Sequence, residues 1–171
     1  MLRWRARFKE EDPLDAGLVG RVRAILTLGG VPPSDLEDGV QQVRLRLLER
    51  EAGGREAPRD VGAWTAVVAS HVAVDWHRSR RRQQQLSERL VAQRSVDRHG
   101  GEEAHPLTSA VGEGLEGLPP VQRQLLALRF YADLSVGQIA AHLGIPEGTV
   151  KSRLHTAVGA LRRQLHQSEG I

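Results

Sequence analysis

Between Leu118 and Leu165 the chain carries a helix start, a helix stop and a second helix start in quick succession. This run restricts the fold more than any other stretch. Ser135 is a good N-cap, and Gln138 three residues on completes a capping box. Ile139, Ala140 and Leu143 give the short helix that follows its apolar side. Gly144 stops that helix, because glycine enters the left-handed conformation of a helix end without a Cβ penalty. Pro146 suits the first position of a new helix, where its missing N–H costs nothing. Val150, Leu154, Val158, Leu161 and Leu165 then recur at helical spacing. Two helices joined by a short turn containing glycine make a helix-turn-helix.

Such a motif sets its second helix in the major groove of DNA. With the apolar stripe turned inward, the opposite side offers Gly148, Thr149, Ser152, His155, Thr156 and Arg163, flanked by Lys151 and Arg153. Small polar groups in the middle can reach base edges, and cations at the rims can hold phosphates. The alternative is a solvated face in an ordinary helical bundle. The capping box, glycine turn and proline start occurring together favour DNA binding.

LPPVQRQLLALRF followed by LSVGQIAAHLGIPEGTVKSRLHTAVGALRR closely resembles region 4 of bacterial sigma factors of the extracytoplasmic-function (ECF) group. The resemblance implies that this part reads the upstream (−35) promoter element and rests on the flap of the polymerase β subunit. It implies base and phosphate contacts at Lys151, Ser152, His155 and Thr156. Together with Thr149 and Arg153 from the helix face, these are the candidate −35 residues. Many members carry arginine where this chain has Thr156, and a neutral hydroxyl there weakens attraction to phosphate.

Three further helices are expected upstream. Asp12-Pro13 reads as a cap and first position for a helix through Leu14, Leu18, Val22, Ile25 and Leu26, ending near Gly29-Gly30. Ser34 and Glu37 read as a capping box for a helix bearing Leu36, Val40, Val43 and Leu47, stopped at Gly53-Gly54. Asp60 caps a third helix whose wide apolar face holds Val61, Trp64, Val67, Val68, Val72 and Val74, and which exits into Arg78-Ser79-Arg80-Arg81-Arg82. DLEDGVQQVRLRLLE resembles region 2.2 of the same family, which grips the clamp of polymerase β′; this implies polymerase contacts at Asp38, Gln41 and Gln42. Gly39 stands where an apolar residue is usual, and Arg44 where an aromatic is frequent. GAWTAVVASHVAVDWHRSRRR resembles regions 2.3 and 2.4, which open the downstream (−10) element and hold flipped bases. The candidate −10 residues are His71, Arg78, Arg80, Arg81 and Arg82, with the 53–60 loop as the rim of a base pocket. Ser70-His71 replaces a usual Arg-Asn.

Charge is uneven. From His71 to Arg94 six arginines stand against two acids, and from Ser95 to Leu118 five acids stand against one arginine. Of 24 cations all but Lys9 and Lys151 are arginine, the residue suited to bidentate contacts with nucleic acid. Residues 84–116, with a Gln run, one weak helical patch and the acids, read as a flexible linker. The expected organisation is all-α: a flexible 1–12, a region 2-like domain over 13–83, the linker, a region 4-like helix-turn-helix domain over 117–166, and a tail over 167–171.

The chain has no cysteine, so no disulfide or cysteine zinc site is expected. His71 and Asp75 are one turn apart, but His77 lies on another face, and no metal site is expected. No nucleophile–base pair or phosphate-cradling glycine loop is present, so neither catalysis nor a cofactor is expected. No apolar run has the length of a membrane span, and a cytoplasmic protein is expected. The reading is a promoter-specificity subunit whose partners are core RNA polymerase and promoter DNA, with an anti-sigma protein implied by the resemblance. A stand-alone helix-turn-helix regulator, and an interaction protein that has lost promoter use, are the alternatives.

Overall fold

The computed structural model describes residues 12–56, 58–92 and 110–168, in which the regular elements are all helical. Helix α1 is Ala16–Leu28, α2 is Leu36–Ala52, α3 is Val61–Ala92, α4 is Ala110–Glu116, α5 is Pro120–Leu126, α6 is Val136–Leu143 and α7 is Glu147–Ser168. A single 3-10 turn, Pro33–Asp35, precedes α2, and α5 runs on into a wider π-type turn, Ala127–Tyr131.

The first half is α1, α2 and α3 packed on one another. Val22, Ile25, Leu26, Val40, Val43, Leu47, Ala66 and Ala69 are buried at the centre. Each fully buried Leu, Ile or Val contributes about 1.5–3 kcal/mol relative to an exposed one. Gly39 is part of this packing: a Cβ on it would stand 2.7 Å from Leu26 Cδ1, so the glycine lets α2 approach α1 closely. In the second half α4, α5 and α6 pack on α7 around Leu118, Leu125, Leu128, Ile139, Val150, Leu154 and Ala157.

Several boundaries differ from the sequence expectation. The cap of α1 is Asp15, whose carboxylate accepts from the Leu18 amide at 2.8 Å. Asp12 instead accepts from the Leu14 amide and receives a paired contact from Arg44 Nε at 2.8 Å and Nη2. The Ser34–Glu37 box does not form, because a 3-10 turn occupies 33–35 and α2 starts at Leu36 without a side-chain cap. Trp76 Nε1 donates to Asp35 at 2.6 Å, and Glu37 is paired with Arg23, so tertiary partners take the groups a cap would have used. Asp60 does cap α3, through the Ala63 amide at 2.8 Å. Helix α3 does not exit at the arginines but continues to Ala92, into the stretch expected to be linker. Pro146 sits just before α7, and its carbonyl accepts from the Thr149 and Val150 amides. Residues 1–11 of the expected flexible 1–12, 93–109 of the expected linker 84–116 and 169–171 of the expected tail 167–171 lie outside the described residues.

The two halves touch. α5 packs on α3, and the π-type turn packs on α1 and α3. Arg21 Nη2 donates to the Ala132 carbonyl at 2.8 Å, and Gln124 Nε2 donates to Ser70 Oγ at 3.1 Å. The buried apolar side chains therefore form one continuous cluster across both halves.

Candidate nucleic-acid interface

The helix-turn-helix is built locally. Ser135 Oγ accepts from the Gln138 amide at 3.2 Å, and Gln138 Oε1 accepts from the Ser135 amide at 2.8 Å, closing the capping box. Gly144 ends α6 at φ +65°, the left-handed region. Val150, Leu154 and Ala157 turn inward. Lys151, Ser152, Arg153, His155 and Thr156 are exposed as a consequence, and Thr149 is half-buried.

Ser152 Oγ donates to the Thr149 carbonyl at 3.0 Å, and Thr156 Oγ1 donates to the Ser152 carbonyl at 3.1 Å. Both hydroxyl protons are held by the helix, so in this geometry each oxygen faces a partner as an acceptor. Lys151 lies 3.7 Å from Glu147, one turn back, a solvated pair that phosphate can displace. Arg153 differs from the rest: it lines a crevice against the first half.

The candidate −10 residues on α3 divide among three surfaces. Arg78 and Arg82 share a groove of about 520 Å³ with Asp38 and Gln42 of α2. Arg80 is carried over the Trp76 ring, 5.1 Å from its centre, the range of a cation–π contact, and Arg81 is exposed. His71 is half-buried and lines the crevice that Arg153 also lines, together with Arg46, Asp75 and Arg78. Burial pushes the His71 imidazole below the ordinary histidine range; Arg46, Arg78 and His142 push the same way, and Asp75 opposes them.

Asp38, Gln41 and Gln42 are all exposed on α2. Leu45 and Leu48, 55% and 39% exposed, continue the same line of the helix. Sequence reading passed over them, although their i, i+4, i+7 spacing from Gln41 was visible. Phe130 and Tyr131, 68% and 46% exposed on the π-type turn, were also passed over, since a π-type turn has no sequence mark here. Among the described residues no group of three His, Cys, Asp or Glu is placed to hold a metal ion. None of their helices is long and apolar enough to cross a membrane.

Residues 114–163 match the family described as Sigma-70, region 4. The chain is 34% identical over 139 residues to the ECF RNA polymerase sigma factor SigL of Mycobacterium tuberculosis, covering 77% of this chain and 75% of that protein. It is 32% identical over 138 residues to the RNA polymerase sigma-E factor of Streptomyces antibioticus, covering 80% and 74%. Its fold is similar to that of the sigma factor RpoE solved with the anti-sigma factor NepR from Bartonella quintana, at a TM-score of 0.66 and 23% identity, over 87% of this chain and 92% of that one.

Proposed function

The chain belongs to the extracytoplasmic-function sigma factors of RNA polymerase, and from that premise we propose how its surfaces divide the work. As a promoter-specificity subunit it directs initiation through polymerase, which sets aside the stand-alone regulator. The exposed polar face of α7, with Thr149, Lys151, Ser152, Arg153, His155 and Thr156, reads the −35 element. Lys151 and Arg153 serve as phosphate contacts; Ser152, His155 and Thr156 serve at base edges. His71 and the arginines Arg78, Arg80, Arg81 and Arg82 line the path of the −10 strand, where a positive surface tracks single-stranded backbone.

Asp38, Gln41 and Gln42, extended by Leu45 and Leu48, form the face that α2 gives to core polymerase. The Phe130–Tyr131 pair offers polymerase a second apolar contact. The protein itself performs no covalent chemistry and works in the cytoplasm beside polymerase. An anti-sigma partner is proposed by analogy with the relative solved in such a complex.

The observation that carries this reading is the helix-turn-helix, its first helix capped at both ends and the polar face of its second turned to solvent. Run-off transcription with purified core polymerase on genomic fragments tests it. Discrete starts that need the protein are expected. No such starts, with specific duplex still shifted by the protein alone, returns the stand-alone regulator to first place.

A further inference from the structure

The loop between α2 and α3 is fixed at its two ends and tied once in between. At its start the Gly53 and Gly54 amides return to the Glu49 and Glu51 carbonyls at 2.9 and 3.0 Å, and Gly54 takes a left-handed φ of +70°. At its end Asp60 caps α3: its carboxylate accepts from the Ala63 amide at 2.8 Å and its carbonyl from the Trp64 amide at 3.0 Å. Between these ends Arg55, Glu56 and Arg59 are exposed. The tie comes from Arg50, near the end of α2. Its carbonyl accepts from the Arg55 amide at 3.2 Å, and its Nε donates to the Glu56 carbonyl at 3.1 Å. Among the described residues no other hydrogen bond is made to residues 56, 58 or 59.

The tie is itself supported. The Arg50 guanidinium carbon stands 5.9 Å from the centre of the Trp64 ring, within the range of a cation–π contact. Trp64 is half-buried on the first turn of α3 and packs against the buried apolar cluster. Contacts thus run from the core through Trp64 and Arg50 to the Glu56 backbone. Arginine suits this task, because a planar guanidinium can lie against a ring and still donate in a fixed direction. A lysine ammonium is a point charge on a flexible stem and fixes no such direction.

An exposed backbone with so few partners loses conformational freedom when it is ordered. Extruding a base already costs its stacking, so a rim that had to order itself as the base arrived would weaken the contact further. A loop held beforehand avoids that loss. Arg55 and Arg59 offer donors suited to guanine, and Glu56 offers an acceptor suited to an exocyclic amino group. Which of these a base meets depends on where the backbone is held.

We propose that Arg50 is the positioning residue of this loop: by fastening the Glu56 backbone to the Trp64 side of α3, it sets the base preference at one position of the −10 element. The proposal rests on the reading of the chain as a promoter-specificity subunit with this loop at the rim of a −10 base pocket. Arg50 acts through the loop and needs no contact of its own with DNA.

Holoenzyme assembled from core polymerase and the full chain tests this by run-off transcription on promoter pools with the −10 or the −35 element randomised, the templates of the transcripts being sequenced. Replacing Arg55, Glu56 and Arg59 by alanine in turn identifies the position that the loop reads. There the wild-type protein should prefer the correct base by about 5- to 150-fold, the range of a good base contact. Arg50→Met keeps a long, helix-compatible side chain without a donor. It is expected to reduce that preference several-fold, with the other −10 positions and the −35 element read as before. Arg50→Lys should fall between the two. If Arg50→Met loses helical signal, Arg50→Gln decides alone. Unchanged preference at the loop's position overturns the proposal, as does a change confined to another position, or no position answering to the loop variants. An equal loss at every position of both elements also overturns it, since Arg50 would then support the fold or polymerase binding in general. If the wild-type protein yields no specific transcripts, promoter reading itself fails and the role of Arg50 falls with it.

Discussion

Gly39 and His71 are both departures from their family's usual residues, and each has a physical consequence. Glycine inside a helix costs up to about 1 kcal/mol against alanine, yet at position 39 it makes room for Leu26, which is fully buried among its neighbours. Gly39→Ala is therefore expected to lose more by overpacking, about 1–3 kcal/mol, than it gains in helix propensity, and to lower the Tm. A raised Tm in thermal unfolding would show that the Leu26 methyl can yield. His71 is faced by Arg46 from α2, by Asp75 and Arg78 from its own helix, and by His142 of α6 and Arg153 of α7 from the other half. Its depressed folded pKa means that the unfolded chain binds the proton more readily. Stability from this group is fully present above the ordinary histidine value of about 6.5 and is lost as pH falls through it toward the lower folded value. Acidification should thus lower the Tm, and His71→Asn should flatten that fall. Parallel Tm–pH curves for the two proteins would remove His71 as the cause.

Within the α6–α7 unit, α6 is held by its two ends. Ser135→Ala removes one bond of the capping box and should cost about 1 kcal/mol in denaturant unfolding; no loss would mean that packing on α7 alone fixes α6. On α7, Lys151→Ala should weaken holoenzyme binding similarly on every promoter and reduce the salt slope by about 1. His155→Ala should instead relax preference at one −35 position by about 1–3 kcal/mol. The two effects exchanged, in binding isotherms on a promoter series, would reverse the roles given to these residues. This unit was legible in the sequence because every signal in it is local: cap, glycine stop and apolar stripe lie within a few residues of their partners. Where partners are distant, the reading slipped. The Ser34 box looks as good on paper as the Ser135 box, but Trp76, forty-one residues away, takes the Asp35 carboxylate. Helix α3 continues past its arginines into a stretch whose composition suggested linker. Arg123 and Gln124 carry no local mark of burial, and only the fold shows them buried against Ser70 and His77.

At the scale of the molecule, the two small helical domains share one apolar cluster. That makes cooperativity a measurable consequence of the shared cluster. If the contact through Ile25, Ala73, Val74, Pro120 and Ala127 is maintained in solution, neither half can unfold without exposing part of the other's core. Calorimetry of the full chain should then give a single transition, with calorimetric and van't Hoff enthalpies in agreement near 120 kcal/mol for 171 residues at about 0.7 kcal/mol each. Ser70→Arg should uncouple the halves into two transitions, each with a smaller van't Hoff enthalpy, because a guanidinium forced into a filled interface separates the surfaces without touching the centre of either core. Two transitions already present in the wild-type protein would mean that the contact contributes too little to couple the halves. A single transition retained in Ser70→Arg would place the coupling elsewhere, with the Arg21 bond to the Ala132 carbonyl the next contact to break.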